Sequence, residues 1–477
     1  LQLILSKFST MTIQEIFGLV SATDIITNLK KRNTTLPDTA KSDKQWEIKG
    51  HDVMDAALRP DKTVTVTNAA GEPTGTRVEF VARVPVPLQK LIVGRAAAFA
   101  FGNPPNITSN AIEEQGKTVY AAVLKILTDN KSISHNKRIA KDVMRYTEAA
   151  ECWFPIEEKN TRYGFESAVK IRCRVFSARN GDTLYPLFDE YGDLIAFSRE
   201  YMLKENDVDV QYFEAFTKDV IRKWKFESGA YVEVANVANV LGKIPVVYVR
   251  QEETEWADAQ LLINRLEKLL SNFADTNDYH GSPKIFIQGT IKGFSKKGES
   301  GSIIEGDKDS TAQYLSWDHA PESVKLETDT LLRLIYSVTQ TPDISFDAIK
   351  GINQISGIAL RLLFLDAHLK VEDKKDIYLD MLQRRVNILK AFVGKINTKL
   401  AAAAESVDLA CDIDPYMPGD MTADITNLMN ATGGKAILSQ RTAIEKSGMV
   451  PDAEAEYKLI QDEDAASNVK DLFNPTA

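Results

Sequence analysis

Cysteine is scarce in this chain, and that scarcity removes two classes at once. Among 477 residues only Cys152, Cys173 and Cys411 carry thiols. An odd number so widely spaced suits neither a disulfide framework nor a zinc site, and predicts buried free thiols. The five histidines, His51, His135, His280, His319 and His368, are equally scattered, with no pair at metal-ligand spacing. No metal and no cofactor is expected. Long apolar runs are missing too. The longest, Leu88 to Phe101, is interrupted by Lys90 and Arg95 and is too short to cross a bilayer, so no membrane partner is expected. The run Leu1 to Leu5 is too short for the apolar part of a signal peptide, and residues 1–10 read as an upstream extension or processed end before Met11.

Positive charge in blocks is a further absence. The formal net charge is −9, with acids and bases interspersed, so there is no basic stripe of the kind DNA-binding modules use, and composition alone argues against a DNA binder. Catalytic signatures are lacking as well: there is no G-x-S-x-G and no H-E-x-x-H. Gly116-Lys117-Thr118 has the last three letters of a phosphate-binding loop, but Ala111 stands where the first glycine belongs and no apolar strand precedes it. It reads as an ordinary helix start. Asp343, Ser345 and Asp347 are spaced like the opening of a calcium loop, without its glycine or closing glutamate.

What the chain does have is a 44% hydrophobic content, ample for real cores, and a length suited to two to four domains. Its organising stretch runs from Asp329 to Asn397. Leu331, Leu334, Ile335 and Val338 mark a helix that stops at Thr341-Pro342, where a backbone donor is lost. From Asp343 to Gln354 apolar and polar residues mix without a period, which predicts a constrained loop. Ser356 is a credible N-cap for a helix reaching Val393, about ten turns and on the order of 60 Å. Its first stripe, Ile355, Ile358, Leu362, Leu365 and Leu369, is expected to be buried. Its second is Tyr378, Leu382, Val386, Leu389, Val393 and Ile396, and the charged segment Glu372 to Asp376 between them is expected to face solvent.

Before that stretch the pattern is mixed. One helix is expected over Ile13 to Leu29, then a polar run ending in Ser42-Asp43-Lys44. A hairpin follows over Thr63 to Val84, then an apolar helix, Leu88 to Phe101, and further helices over Thr118 to Leu127 and Lys137 to Ala150. Strands dominate from Cys152 to Val249, with turns at Asn180-Gly181, Tyr191-Gly192-Asp193 and Ser228-Gly229. A helix is expected over Glu252 to Asp275, then strand-like runs at Lys284 to Gln288, Gly301 to Ile304 and Ala312 to Trp317. The C-terminal part reads as helices near 421–431, 435–447 and 452–465. The fold class is α+β.

Several of these stretches together carry a family resemblance. Thr341-Pro342-Asp343-Ile344-Ser345 followed by Ser356-Gly357-Ile358-Ala359-Leu360 resembles the signature segment of tailed-bacteriophage portal proteins, the head–tail connectors of siphophage type. Leu88 to Val93 running to Phe101-Gly102-Asn103-Pro104, Leu241 to Val247, Leu438 to Thr442 and Val450 to Glu456 resemble further family segments in family order, over roughly residues 45 to 465. The resemblance implies an N-terminal arm (1–45), a wing (46–250), a first stem helix (251–278), a clip made of a small β module (279–320), and a second stem helix (321–341). A tunnel loop (342–354), a long wing helix (355–400) and a helical crown with an acidic tail (401–477) complete it.

The same resemblance implies a structural protein of the virion, not an enzyme, assembled in the host cytoplasm as a ring of about twelve copies at one capsid vertex. Double-stranded DNA would pass through it during packaging and ejection. Terminase, head completion or adaptor protein, major capsid protein and scaffold would dock on it, with the motor supplied by terminase. Its subunit interfaces would be of the obligate class, on the order of 2,000–5,000 Å². Twelve-fold symmetry does not match the roughly 10–10.5 base pairs of a DNA turn, so contact must be blind to sequence. A net-negative conduit suits this, since many lysine–phosphate contacts would hold the DNA. In this reading Ile344, Phe346, Ile349 and Ile352 touch neighbouring loops and DNA, while Asp343, Ser345, Asp347 and Lys350 set local polarity and charge. The residues alone also allow Phe346 to plug its own subunit's core. Lys284, Lys292, Lys296, Lys297 and Lys308 could steady DNA or a partner at the clip, or be a solvated surface balanced by Glu299, Glu305, Asp307 and Asp309. Two other readings remain: another head–tail joining component, or an enzyme with loop 342–354 as a lid and Asp343 and Asp347 as its acid/base pair.

Overall fold

The computed structural model describes residues 12–32, 34–68, 71–280, 284–288, 291–293, 305–306, 311–315, 320–344, 364–416, 421–433, 435–450 and 452–473. The chain divides into two compact units, residues 1–343 with 366–416, and residues 344–365 with 417–477. The α+β class holds.

In the first unit the chain opens on two short helices, α1 (Ile13–Phe17) and α2 (Ala22–Leu29). A single helix was the expectation from periodicity. Gly18 ends the first, Ser21 precedes the second, and a capping box between Thr12 and Glu15 fixes the start of α1. A third helix, α3 (Thr39–Trp46), forms where the polar run suggested none, because the Asp38 carboxylate caps the Lys41 amide.

After α3 come the hairpin strands β1 (Lys62–Thr67) and β2 (Pro73–Glu79), then α4 (Leu88–Phe101), β3 (Asn106–Ser109), α5 (Glu114–Asp129) and α6 (Ser132–Tyr146). Gly116-Lys117-Thr118 lies in the first turns of α5, with Lys117 paired to Glu114 at 2.8 Å. Gly102 closes α4 where Tyr416 crosses it: an added Cβ would sit 2.5 Å from both the Ala98 carbonyl and the Tyr416 Cβ. Gly102→Ala should therefore lower stability by about 1–3 kcal/mol, read as a shift in denaturation midpoint with unchanged slope.

Strands β4 (Glu148–Asn160), β5 (Ser167–Phe176) and β11 (Val246–Arg250) form an antiparallel sheet in the order β11-β4-β5. Strands β6 (Thr183–Phe188), β7 (Leu194–Glu205), β8 (Val208–Phe216), β9 (Val220–Glu227) and β10 (Ala230–Ala238) form a five-stranded meander. Its tight turns use residues with positive φ at both corners, Asn206-Asp207 and Ser228-Gly229, the geometry that matches strand twist. The apolar residues of α1 and α2 share one buried cluster with this sheet, including Ile16, Ile25, Ile26, Leu29, Phe213 and Trp224.

Helix α7 (Gln260–His280) and helix α8 (Ala320–Val338) bracket a small β module. In it β12 (Lys284–Gln288) pairs with β15 (Thr311–Leu315), and β13 (Ile291–Gly293) with β14 (Glu305–Gly306). The expected strand at 301–304 lies outside the described residues. Arg265 of α7 pairs with Glu327 of α8 at 2.6 Å.

The long helix α9 is described over Leu365–Ile396, so the expected start near Ser356 lies outside the described residues. Its second stripe is buried as expected through Tyr378, Leu382, Val386, Leu389 and Val393. Of the first stripe, Ile355, Ile358 and Leu362 lie outside the described residues, and the expectation fails for the other two: Leu365 and Leu369 are about half exposed, at 47% and 51%, while Ala367, Lys370 and Val371 face inward. Extending the second stripe back by threes and fours from Tyr378 reaches 374, 371 and 367, which places 365 and 369 on another face. Nor is the charged segment wholly solvated, since Lys374 is drawn into an ion pair. Beyond it lie α10 (Ala401–Ser406) and β16 (Leu409–Asp412), the latter pairing with β3. All three cysteines are free, though only Cys152 is fully buried; Cys173 and Cys411 are partly so.

The second unit contains α11 (Met421–Thr432), α12 (Gln440–Ser447) and α13 (Ala453–Phe473). Ser439 caps α12, Gly448 ends it in a left-handed conformation, and the Asp452 carboxylate caps the start of α13.

Candidate functional site

Where α8 ends, the backbone is folded back on itself. Gln340 takes φ +47, the Gln340 amide donates to the Ser337 carbonyl at 3.1 Å, and the Thr341 amide donates to the Tyr336 carbonyl at 2.9 Å. This pair of bonds is a Schellman ending with glutamine where glycine usually sits. The Thr339 hydroxyl donates to the Ile335 carbonyl at 2.7 Å and lies 2.9 Å from the Thr341 hydroxyl, so both buried threonines are satisfied. Pro342 then removes the next donor.

Two other helices hold this ending. From α4, Arg95 donates to the Pro342 carbonyl at 2.5 Å and lies over the Tyr336 ring at 5.7 Å. From α9, the Lys370 ammonium donates to the Thr339 carbonyl at 2.6 Å and pairs with Glu255 at 2.6 Å. Lys374, one turn on, lies 2.7 Å from the other Glu255 oxygen and 3.1 Å from Gln251. Burial alone would raise the Glu255 carboxyl, but Lys370 and Lys374 outweigh it and hold it below its usual range. Burial pulls the Lys370 ammonium down, with Glu255 opposing. Burial likewise raises the Tyr336 hydroxyl, against Arg95.

A second buried hub lies further along α9. Arg385 grips Glu151 with two bonds, at 2.7 and 2.8 Å, and donates to Asn136 at 2.6 Å. His135 lies 2.6 Å from Glu151, the Trp153 indole donates to it at 3.0 Å, and the Cys173 sulfur is 3.4 Å from His135. His135, Glu151 and Cys173 thus gather within 4.8 Å, a cluster that sequence spacing did not foresee. Arg385 occupies both Glu151 oxygens, and burial pushes the Cys173 thiol well above its ordinary range. A cation would meet a guanidinium and a protonated thiol, so the hub is a hydrogen-bonded joint between α6, β4, β5 and α9.

Of the residues singled out from sequence, Asp343 and Ile344 lie just beyond the Schellman ending and are exposed. Ser345, Phe346, Asp347, Ile349, Lys350 and Ile352 lie outside the described residues. Lys284 falls on β12 and Lys292 on β13, while Lys296, Lys297 and Lys308 lie outside the described residues. Sequence reading missed Arg95, Glu255, Lys370 and Arg385. Two signals were present. Lys370 and Lys374 are four apart on one helix, a repulsive pair unless an acid lies between them. Arg385 follows Leu382 by three on the apolar stripe, where a charge needs a partner.

These charged side chains fix helix ends and join layers of an α+β body. The chain matches the family described as phage portal protein, SPP1 Gp6-like, over residues 30–470, and it belongs to that family of structural head–tail connectors. Among solved structures, it is similar to the neck of an empty gene transfer agent particle computed with C6 symmetry. That likeness has 10% identity and TM-score 0.42, covering 76% of this chain and 89% of that one. The neck of the native particle computed with C12 symmetry gives 11%, 0.39, 76% and 89%. The virion of the native particle gives 8%, 0.40, 90% and 99%. The comparison with curated proteins gives no match.

Proposed function

We propose that this chain is the subunit of a closed ring of about twelve copies at one vertex of a phage capsid, the channel through which double-stranded DNA is packaged and ejected. In this reading residues 46–250 are the wing, α7 and α8 the stem helices, 279–320 the clip, α9 the long wing helix and 401–477 the crown. Loop 342–354 projects into the channel, where Ile344, Phe346, Ile349 and Ile352 touch DNA without reading its sequence. The clip, with Lys284, Lys292, Lys296, Lys297 and Lys308, exchanges terminase for the head completion protein. The observation that carries this reading is the root of the loop: in a portal-family chain, residues 339–342 are fastened by bonds from α4 and α9, as a loop under load requires.

Native mass and electron microscopy test the ring, which should weigh roughly twelve times the 53.1 kDa of one chain. A dimer that scaffold protein does not convert would overturn it. For the loop, Phe346→Ala should leave ring mass unchanged and stop DNA packaging into heads. Normal packaging would return Phe346 to an ordinary packing role.

A further inference from the structure

We infer that Lys370 is the positioning residue of the α8 ending, residues 339–342, at which loop 342–354 begins: its bond to the Thr339 carbonyl fastens that ending to α9. The inference rests on the reading of this loop as the DNA-contacting element.

A helix end leaves carbonyls without partners, and inside a protein each needs a donor. Thr339 and Thr341 are buried, at 6% and 4% exposure, so water is a poor candidate; the Thr341 hydroxyl donates to the Thr339 carbonyl at 3.3 Å, and Lys370 supplies the shorter, charge-assisted bond at 2.6 Å. A cation also suits the negative end of the α8 dipole. An alternative role for Lys370 would be to neutralise Glu255. That role is already filled, because Lys374 contacts the other Glu255 oxygen. Two lysines for one carboxylate is an excess of positive charge in a buried place, and the excess is accounted for by the Thr339 carbonyl. The left-handed Gln340 sharpens the point. A side-chain-bearing residue held there costs about 1–2 kcal/mol and persists where its surroundings over-determine it. Here the surroundings are Lys370 on the carbonyl before Gln340 and Arg95 on the carbonyl of Pro342, two residues after it. Any shift of the first turns of α9 therefore pulls on the base of the loop.

The test is Lys370→Met in the assembled ring, which keeps most of the side-chain length and leaves Glu255 paired with Lys374. Hydrogen exchange at the Gln340 and Thr341 amides should rise about tenfold or more, the loss of one charge-assisted hydrogen bond, while β4 amides stay protected. Packaging should slow with ring mass unchanged. Lys370→Arg, which keeps charge and donors, should restore protection at both amides. Should Lys370→Met fail to assemble, Lys370→Gln, neutral and shorter, gives the same readout. Unchanged exchange at 340 and 341, or an equal rise across the molecule, would overturn the inference. Exchange also separates it from the reading beneath it. If Phe346→Ala packages normally yet Lys370→Met frees the two amides, the loop reading fails and the positioning role of Lys370 stands.

Discussion

Arg385→Met should lower the unfolding free energy by about 3–5 kcal/mol, the cost of leaving one member of a buried ion pair without the other. Glu151 is fully enclosed and accepts from Arg385, His135 and Trp153. Without the guanidinium it must protonate or stay charged in a medium that does not solvate it. Glu151→Gln should cost a similar amount for the mirror reason, since Arg385 would keep its charge and lose its partner. The double variant Arg385→Met with Glu151→Gln should cost less than the sum of the two, because no uncompensated charge remains. Equilibrium denaturation of all four proteins reads this directly. Additive losses would mean that the pair acts through packing alone.

The same hub sets an acid limit. Burial alone would raise the Glu151 carboxyl, but Arg385 and His135 outweigh it and hold it at about 2, against 4.5 for the free group. A carboxyl depressed in the folded state adds stability that is fully present above the unfolded value. That stability is lost as pH falls from about 4.5 toward 2, and amounts to a few kcal/mol. Wild-type stability should therefore fall over that window, and Glu151→Gln should show a shallower slope there. Equal slopes would assign the acid sensitivity to other carboxyls.

How much of this was legible beforehand follows from what periodicity records. Helix α4 was read at its observed limits because Pro85 and Pro87 precede it and Gly102 closes it, so both ends carry local chemistry. The α9 stripe from Tyr378 to Val393 was read because a helix buried on one face repeats at 3.6 residues. Its N-terminal stripe was misread at Leu365 and Leu369, which are apolar yet lie off that face, while the inward positions include a lysine. Amino-acid type alone cannot say that Lys370 is buried; its partner Glu255 is more than a hundred residues away in sequence. The joints between layers share this property. Arg32 meets Glu148, Arg385 meets Glu151 and His51 meets Glu267, all across long separations.

The N-terminal helices give the second large effect, because they cannot exist without the sheet they cover. At five and eight residues, α1 and α2 are well below the length at which isolated helices hold together in water. Their stability is borrowed from the shared cluster on the β6–β10 sheet, where Trp224 is fully buried and Arg222 stacks between Phe17 and Trp224, at 4.8 and 5.0 Å from the ring centroids. Trp224→Ala should cost about 3–5 kcal/mol, the usual range for deleting a large buried aromatic. Trp224→Phe should cost markedly less, since the ring still fills part of the space. The loss should also be local first: amides of residues 22–29 should exchange faster in Trp224→Ala under conditions where those of α6 remain protected. Arg32, just beyond α2, provides the internal control. Its bonds to Glu148 on β4 and the Leu184 carbonyl on β6 do not involve the tryptophan and should hold the chain to both strands as the helices loosen. If residues 22–29 stay protected while the whole molecule melts lower, the cluster is part of one cooperative core and the two helices are not a separable cover.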